Sequence, residues 1–347
     1  IVLNTKSLDD YQTFLKIKQL PAWSIRGSVA DVPTQYASRL GLEVNENAHE
    51  FQAETWLYDY QRDIAAMAVH RKKFAVFADC GRGKTLIYLS YCREVLERIG
   101  HQKNVLIVTP KLVIPQVIAE AKKFWGEDYP IEQVAASQLG DWMQSVSGQI
   151  GITNYEALKS DLPQGCLGAL VLDESSVLKS HYGNWAGVCL RLGKGLDYKL
   201  ALTGTPAPND RIEYANHATF LDRFPTVNAF LATYFINRGQ TGERWELKPH
   251  AIKAFYRALS DWCIFLSNPA VYGWKDGCEP LPPIHTHIHE VPLTPAQRDW
   301  VAKATGQMIA TKPGGITTRA GFSQVSKGHY KGIDYATHKY EVMQELI

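Results

Sequence analysis

Apolar positions in this chain fall into short continuous runs separated by longer stretches in which they recur every three or four residues. Phe74–Ala78, Val105–Thr109, Ile150–Thr153, Ala169–Leu172 and Lys199–Leu202 are runs of the first kind; Lys84–Ile99 and Val113–Trp125 are stretches of the second. A segment that is apolar at consecutive positions fits a strand covered on both faces, whereas the longer pattern fits a helix with one buried stripe. Their alternation predicts β-α units and therefore an α/β fold, a mostly parallel sheet flanked by helices, over residues 51–210.

The flanks read differently. Residues 1–50 hold one short helical pattern (Tyr11, Phe14, Leu15, Ile17) and then a stretch punctuated by Pro and Gly, which reads as a small N-terminal appendage. Residues 211–280 carry Phe220, Phe230, Tyr234, Phe255 and Trp262 at helical spacings and predict a helical extension packed on the lobe. Residues 281–347 begin as an extended connector, and Thr305–His338, rich in Gly, Thr and Lys, reads as a mobile basic loop leading to a further domain. Ile1 rather than Met at the start and a helical pattern at Glu341–Ile347 suggest a piece of a longer protein.

Composition narrows the class without choosing a function. With 45% apolar and 21% charged residues the chain is an ordinary globular one, and a net charge of +2 is too small to announce a nucleic-acid partner. The six cysteines are scattered with no C-x-x-C pair, which predicts neither a disulfide framework nor a zinc site and fits a cytoplasmic or other reducing compartment. No apolar run approaches the length of about 18 residues that a membrane span needs.

Candidate chemistry begins at Asp79-Cys80-Gly81-Arg82-Gly83-Lys84-Thr85, which follows the run FAVFA and opens an amphipathic stretch. Glycines let the backbone curl so that successive N–H groups face phosphate oxygens, and a helix N-terminus adds favourable partial charge. Gly81, Arg82, Gly83, Lys84 and Thr85 thus form a candidate P-loop for ATP, with Lys84 on the β- and γ-phosphates and the Thr85 hydroxyl on Mg²⁺. Ala78 stands where the general pattern has its first Gly. A second element, Leu170-Val171-Leu172-Asp173-Glu174, sets two acids at the end of another apolar run. Asp173 is the candidate metal ligand and Glu174 the candidate group that polarises the attacking water. Lys84, Asp173 and Glu174 are then the catalytic set of an ATP hydrolase.

Four further segments fall in order around these two: LYDYQ at 57–61, LIVTPK at 106–111, ITNYE at 152–156 and LTGTPAPN at 202–209. The ordered series resembles the superfamily-two helicases and translocases, and LVLDESSVLKS with LTGTPAPN resembles their Swi/Snf-type branch. The resemblance implies a RecA-like, P-loop NTPase lobe of a DNA translocase or helicase motor, with double-stranded DNA as the favoured substrate. It implies that Gln61 recognises adenine, and that Thr203 and Thr205 couple nucleotide state to grip on nucleic acid. It places Pro110, Lys111, Thr153 and Asn154 in segments that touch a nucleic-acid backbone, and it calls for a second RecA-like lobe elsewhere in the full-length protein. Many relatives carry Ala-His after the Asp-Glu pair, where this chain has Ser175-Ser176. The serine hydroxyls are expected to bridge to Thr203 or Gln61, with Ser176 joining the coupling set. An RNA or branched-DNA substrate, and a non-catalytic ATP sensor or scaffold, remain open as alternatives.

Overall fold

In the computed structural model, helix α1 (Leu8–Lys18) starts at Ser7, whose hydroxyl accepts the Asp10 N–H at 3.2 Å, and a hairpin of β1 (Ser24–Arg26) and β2 (Val29–Asp31) follows. The structure describes all residues except 5, 21–22, 33–35, 37, 43–50, 180–183, 240–243, 276–285, 311–315 and 347. Two units are distinguished, Ile1–Glu279 and Pro280–Ile347. The N-terminal elements join the core of the first: Ile17, Leu20 and Ala30 are buried in it, and Tyr36 stacks on Tyr272 at 5.5 Å.

The centre of that unit alternates as the hydrophobic pattern predicts. Helix α2 (Asp59–Arg71) leads into β3 (Lys73–Ala78), α3 (Lys84–Arg98), β4 (Val105–Thr109), α4 (Ile114–Trp125) and the short β5 (Ile131–Gln133). Then come α5 (Leu139–Gln144), β6 (Ile150–Asn154), β7 (Ala169–Asp173), α6 (Asn184–Gly193) and β8 (Tyr198–Thr203). Helices α7 (Tyr214–Phe220) and α8 (Val227–Tyr234), the hairpin β9 (Phe235–Asn237) with β10 (Trp245–Leu247), α9 (Ile252–Trp262) and β11 (Cys263–Leu266) complete it.

Seven strands pair in the order β11-β3-β8-β7-β4-β6-β5, every pair parallel. Strands β4, β7 and β8 are buried at every residue, as expected where helices cover both faces. The pleat sorts their side chains by alternation. Phe74, Val76, Ile107, Val171 and Leu202 face α2, α3 and α4, whereas Phe77, Val108, Leu172 and Ala201 face α6, α7 and α9. Because all strands run the same way, Ala78, Thr109, Asn154, Asp173, Thr203 and Leu266 end at one edge, where open α/β sheets bind ligands.

Two stretches differ from their sequence reading. The segment 211–280 is not helical throughout: Cys263–Leu266 forms the sheet's edge strand on β3, with Cys263 opposite Ala75. Four consecutive apolar residues among closely spaced aromatics carry no periodicity that separates strand from helix. In the second unit, α10 (Pro295–Ala310) and α11 (Ile316–Ser326) occupy much of what reads as a loop, followed by a small hairpin, β12 (His329–Tyr330) with β13 (Ile333–Asp334), and α12 (Lys339–Leu346). Local contacts supply the order that the polar sequence hides. Trp300 lies edge-on to Phe322 at 5.5 Å and near Tyr330 at 5.1 Å, and Gln297 Nε2 donates to the Val325 carbonyl at 2.8 Å. Residues 286–294 have no regular secondary structure; Lys312 and the first part of the connector lie outside the described residues.

Candidate nucleotide site at the carboxyl edge of the sheet

The loop from Asp79 to Gly83 joins β3 to α3 by two left-handed glycines, Gly81 at φ 79° and Gly83 at φ 67°. That backbone region costs an L-residue roughly 1–2 kcal/mol, which glycine avoids. Gly83 is required twice over, because a Cβ there would overlap the Gln61 side-chain amide. Gln61 itself is buried on α2, and its Oε1 accepts the Tyr58 N–H at 3.1 Å. Tyr60 reaches the same loop through its hydroxyl, 3.4 Å from the Arg82 carbonyl. Lys84 and Thr85 begin α3, so both lie in the first turn at the helix N-terminus. The Lys84 ammonium folds back onto the strand end, donating to the carbonyls of Ala78 at 2.9 Å and Asp79 at 3.4 Å.

Opposite this loop, Asp173 ends β7 and is only 5% exposed. Its carboxylate accepts the Thr109 hydroxyl at 2.9 Å and the Glu174 N–H at 3.1 Å, and its carbonyl accepts the Tyr155 hydroxyl at 2.7 Å. Burial lifts the Asp173 carboxyl to a pKa of about 6; the Glu174 charge adds to this, while the Thr109 hydrogen bond and the Lys84 ammonium oppose it. Among the described residues Asp173 forms no ion pair. Glu174 follows with φ 51°, a left-handed conformation unusual for a residue with a side chain, and its Oε2 accepts the Thr203 hydroxyl at 3.2 Å. Thr203 Oγ1 in turn accepts the Thr205 N–H at 3.1 Å, so β8 is tied to Glu174 at the point where its strand ends. Gly204 lets this turn pass the Ala78 carbonyl, to which a Cβ would stand at 3.4 Å.

Lys84, Thr85, Asp173, Glu174, Gln61, Thr203 and Thr205 therefore gather at one sheet edge. The donor set fits Mg²⁺-bound ATP: a hydroxyl and a buried carboxylate for a hard cation, an ammonium for phosphate, and a glycine cradle that a Cβ would fill.

Among the described residues neither serine hydroxyl makes the expected bridge to Thr203 or Gln61. Ser176 Oγ lies 3.5 Å from the Glu174 carbonyl, and it is Glu174, not a serine, that meets Thr203. Ser175 Oγ instead lies 3.0 Å from His217 Nε2 on α7. Of the residues assigned to a nucleic-acid backbone, Lys111 is exposed and Pro110 half-buried. Thr153 is 1% exposed with its hydroxyl on the Val134 carbonyl at 2.9 Å, and Asn154 Oδ1 accepts the Ala157 N–H at 2.9 Å. Val134 directly follows short β5, the neighbour of β6 in the sheet, so this contact is one that the motif itself does not reveal. The sequence reading also missed Thr109, Tyr155 and His217. Thr109 adjoins the quoted Pro110-Lys111 pair and Tyr155 adjoins Asn154, whereas nothing local marks His217.

Residues 56–331 match the SNF2-related domain family. The chain belongs to this family. Among solved structures, this SNF2-related chain is similar to the Sulfolobus solfataricus SWI2/SNF2 ATPase core in complex with dsDNA, at 18% identity and a TM-score of 0.51, covering 86% of this chain and 65% of that one. It is also similar to the Sulfolobus solfataricus SWI2/SNF2 ATPase core domain, at 18% identity and a TM-score of 0.50, covering 89% and 62%. The SNF2-related chain thus spans less than two-thirds of the length of either core. A comparison with curated protein sequences gives no significant match. Among the described residues no helix is long and apolar enough to cross a membrane.

Proposed function

We propose that this chain is the ATP-binding lobe of a nucleic-acid-dependent ATPase, a translocase or helicase motor whose hydrolysis is stimulated by double-stranded DNA. The reading rests chiefly on one observation: the Lys84 ammonium at the P-loop, the buried Asp173 and the Glu174–Thr203 pair converge at the carboxyl edge of one parallel sheet. Family membership supports an ATPase, and duplex DNA is favoured because one matched core is described in complex with dsDNA.

Each residue then has a task that follows from its place. Lys84 exchanges the carbonyls of Ala78 and Asp79 for phosphate oxygens, and the N–H groups around Gly81, Arg82 and Gly83 line the same cradle. Thr85 and Asp173 hold Mg²⁺, which when bound neutralises charge developing on the β- and γ-phosphate oxygens. Glu174 orients the attacking water and takes its proton as the bond to the leaving oxygen breaks. Thr203, bonded to Glu174 and to the Thr205 backbone, links that event to β8. Gln61, against Gly83, reads the adenine edge. Lys111, exposed beside Pro110, is the backbone contact on this lobe. A second RecA-like lobe that supplies transition-state arginines is part of the proposal; such a group raises turnover by about 10³–10⁵ in related phosphoryl transfers.

The test is ATP turnover by the complete polypeptide with duplex, single-stranded, forked and RNA ligands, beside Lys84→Ala. Duplex-stimulated hydrolysis that Lys84→Ala abolishes is the expected result. Stimulation by RNA or forks instead would reassign the substrate, and ATP binding without turnover under every ligand would leave a sensor or scaffold.

A further inference from the structure

The turn that carries Asp173 and Glu174 is held from a direction that the motifs do not account for. Ser175 and His217 are both 0% exposed, and their Oγ and Nε2 atoms stand 3.0 Å apart. Burial drives the His217 imidazole down to a pKa of about 4, with the Glu213 and Ser175 backbones acting the other way, so the ring is neutral near pH 7. Its Nδ1, towards which the Glu213 backbone lies, makes no hydrogen bond of good geometry among the described residues; the Ser175 hydroxyl is the side-chain partner of a ring otherwise set edge-on to Phe77 at 5.3 Å. Burying a half-satisfied imidazole carries a cost that an apolar side chain would avoid.

The neighbouring residue on the same helix makes a parallel contact. Asn216 Nδ2 donates to the Leu178 carbonyl at 2.6 Å, inside the 3₁₀ segment Ser175–Lys179 that begins directly after Glu174. Two consecutive side chains of α7 therefore clamp the far side of the catalytic turn, while Thr203 and Tyr155 hold its near side. Between these clamps Glu174 keeps φ 51°, a conformation that persists only when its surroundings over-determine it. Helix α7 is itself tied to the segment after β8, where Asn209 Nδ2 donates to Glu213 Oε1 at 2.8 Å.

We infer that His217 is a positioning residue for hydrolysis: through Ser175 it fixes the left-handed Glu174 so that its carboxylate points at the attacking water, and so makes α7 part of the catalytic frame. This rests on the proposed role of Glu174. His217 touches no reacting atom, so its removal should leave ATP affinity in place and lower the rate of the chemical step.

The experiment measures kcat and KM for ATP, with duplex DNA, on the full-length protein and on Ser175→Ala, His217→Leu, the double variant and His217→Gln. Thr219→Ala, on α7 with its hydroxyl donating to the Ala215 carbonyl of its own helix, is the control and should match the wild type. Urea unfolding of each protein establishes that it is folded at the assay temperature. Ser175→Ala and His217→Leu should each lower kcat about tenfold or more while KM moves less than about threefold, since misplacing a catalytic group acts on the chemical step. The double variant should be no slower than the slower single one, the signature of one shared interaction. Glutamine places an amide near the position of Nε2, so His217→Gln should recover most of the loss. Loss confined to KM, additive losses, or wild-type kcat in folded Ser175→Ala would overturn the inference while leaving the ATPase reading intact. Absence of turnover in the wild type itself would remove both.

Discussion

Each edge of the sheet buries a charge, and the two are treated in opposite ways. At the amino edge Lys199, 1% exposed, donates to Asp222 Oδ2 and to the Phe220 carbonyl, both at 2.8 Å, and Lys73 reaches the same carboxylate at 2.8 Å. Burial lowers the Lys199 pKa, with Asp222 holding it up; burial likewise works against the Asp222 charge, but hydrogen bonds from Lys199 and Lys73 hold that carboxyl below its usual value. At the carboxyl edge Asp173 is nearly as buried, has only neutral donors in hydrogen-bond contact, and is pushed up to about 6. The protein neutralises the first charge from within. It gives the second no ion pair among the described residues, and under the proposed function Mg²⁺ would supply the missing charge.

The largest effect should come from removing the chemistry and sparing the fold. Lys84→Ala and Glu174→Gln should each lower turnover by about 10² or more. Unfolding free energies should stay within about 1 kcal/mol of the wild type, because both side chains are part-exposed and uncommitted to the core. Equal activity in either variant would break the contrast at once.

Asp222→Ala is the converse, a change at the amino edge that strands Lys199. Breaking a buried pair costs about 3–5 kcal/mol, and partial exposure of Asp222 reduces the expectation to about 1–3 kcal/mol of stability, read from the urea midpoint. Turnover per folded molecule should not change.

Asp173→Asn sharpens the comparison because stability and function should move apart. The raised pKa makes the charged carboxylate a liability of the empty protein above about pH 6. That penalty fades as pH falls towards the unfolded value of about 3.9. At pH 8 the asparagine variant should therefore be more stable by about 1–2 kcal/mol, with the Thr109 hydroxyl turning from donor to acceptor, and the gain should vanish near pH 4. Hydrolysis should be lost. A destabilised variant at pH 8 would show that the Asp173 charge is already satisfied. The smallest effect is expected for Tyr155→Phe, which removes the hydroxyl on the Asp173 carbonyl and should cost about 1 kcal/mol of stability with a few-fold loss of kcat.

How much of this was legible in the sequence divides along the same line. The strands at Phe74–Ala78 and Ala169–Leu172, and the residues at their ends, are contiguous in the chain, so periodicity and motif spacing locate Lys84, Thr85, Asp173 and Glu174. Contacts between distant segments left no such mark. His217 lies 42 residues beyond Ser175, and Asp222 lies 149 beyond Lys73; neither pairing has a local signature. Thr153 is buried, with its hydroxyl on the carbonyl of Val134 just after the three-residue β5, a contact that its own segment does not announce. The same limit hid β11, a four-residue apolar strand, and α10, whose small and polar residues carry no helical stripe.

The most direct measurement titrates ATP into the wild type and into Asp173→Asn, each with Mg²⁺ and with a chelator. Mg²⁺ should tighten binding to the wild type by about tenfold or more and leave Asp173→Asn unmoved, since loss of one carboxylate ligand removes the metal's purchase. Equal affinities in all four titrations would contradict the assignment of the carboxyl edge as a Mg²⁺–ATP site.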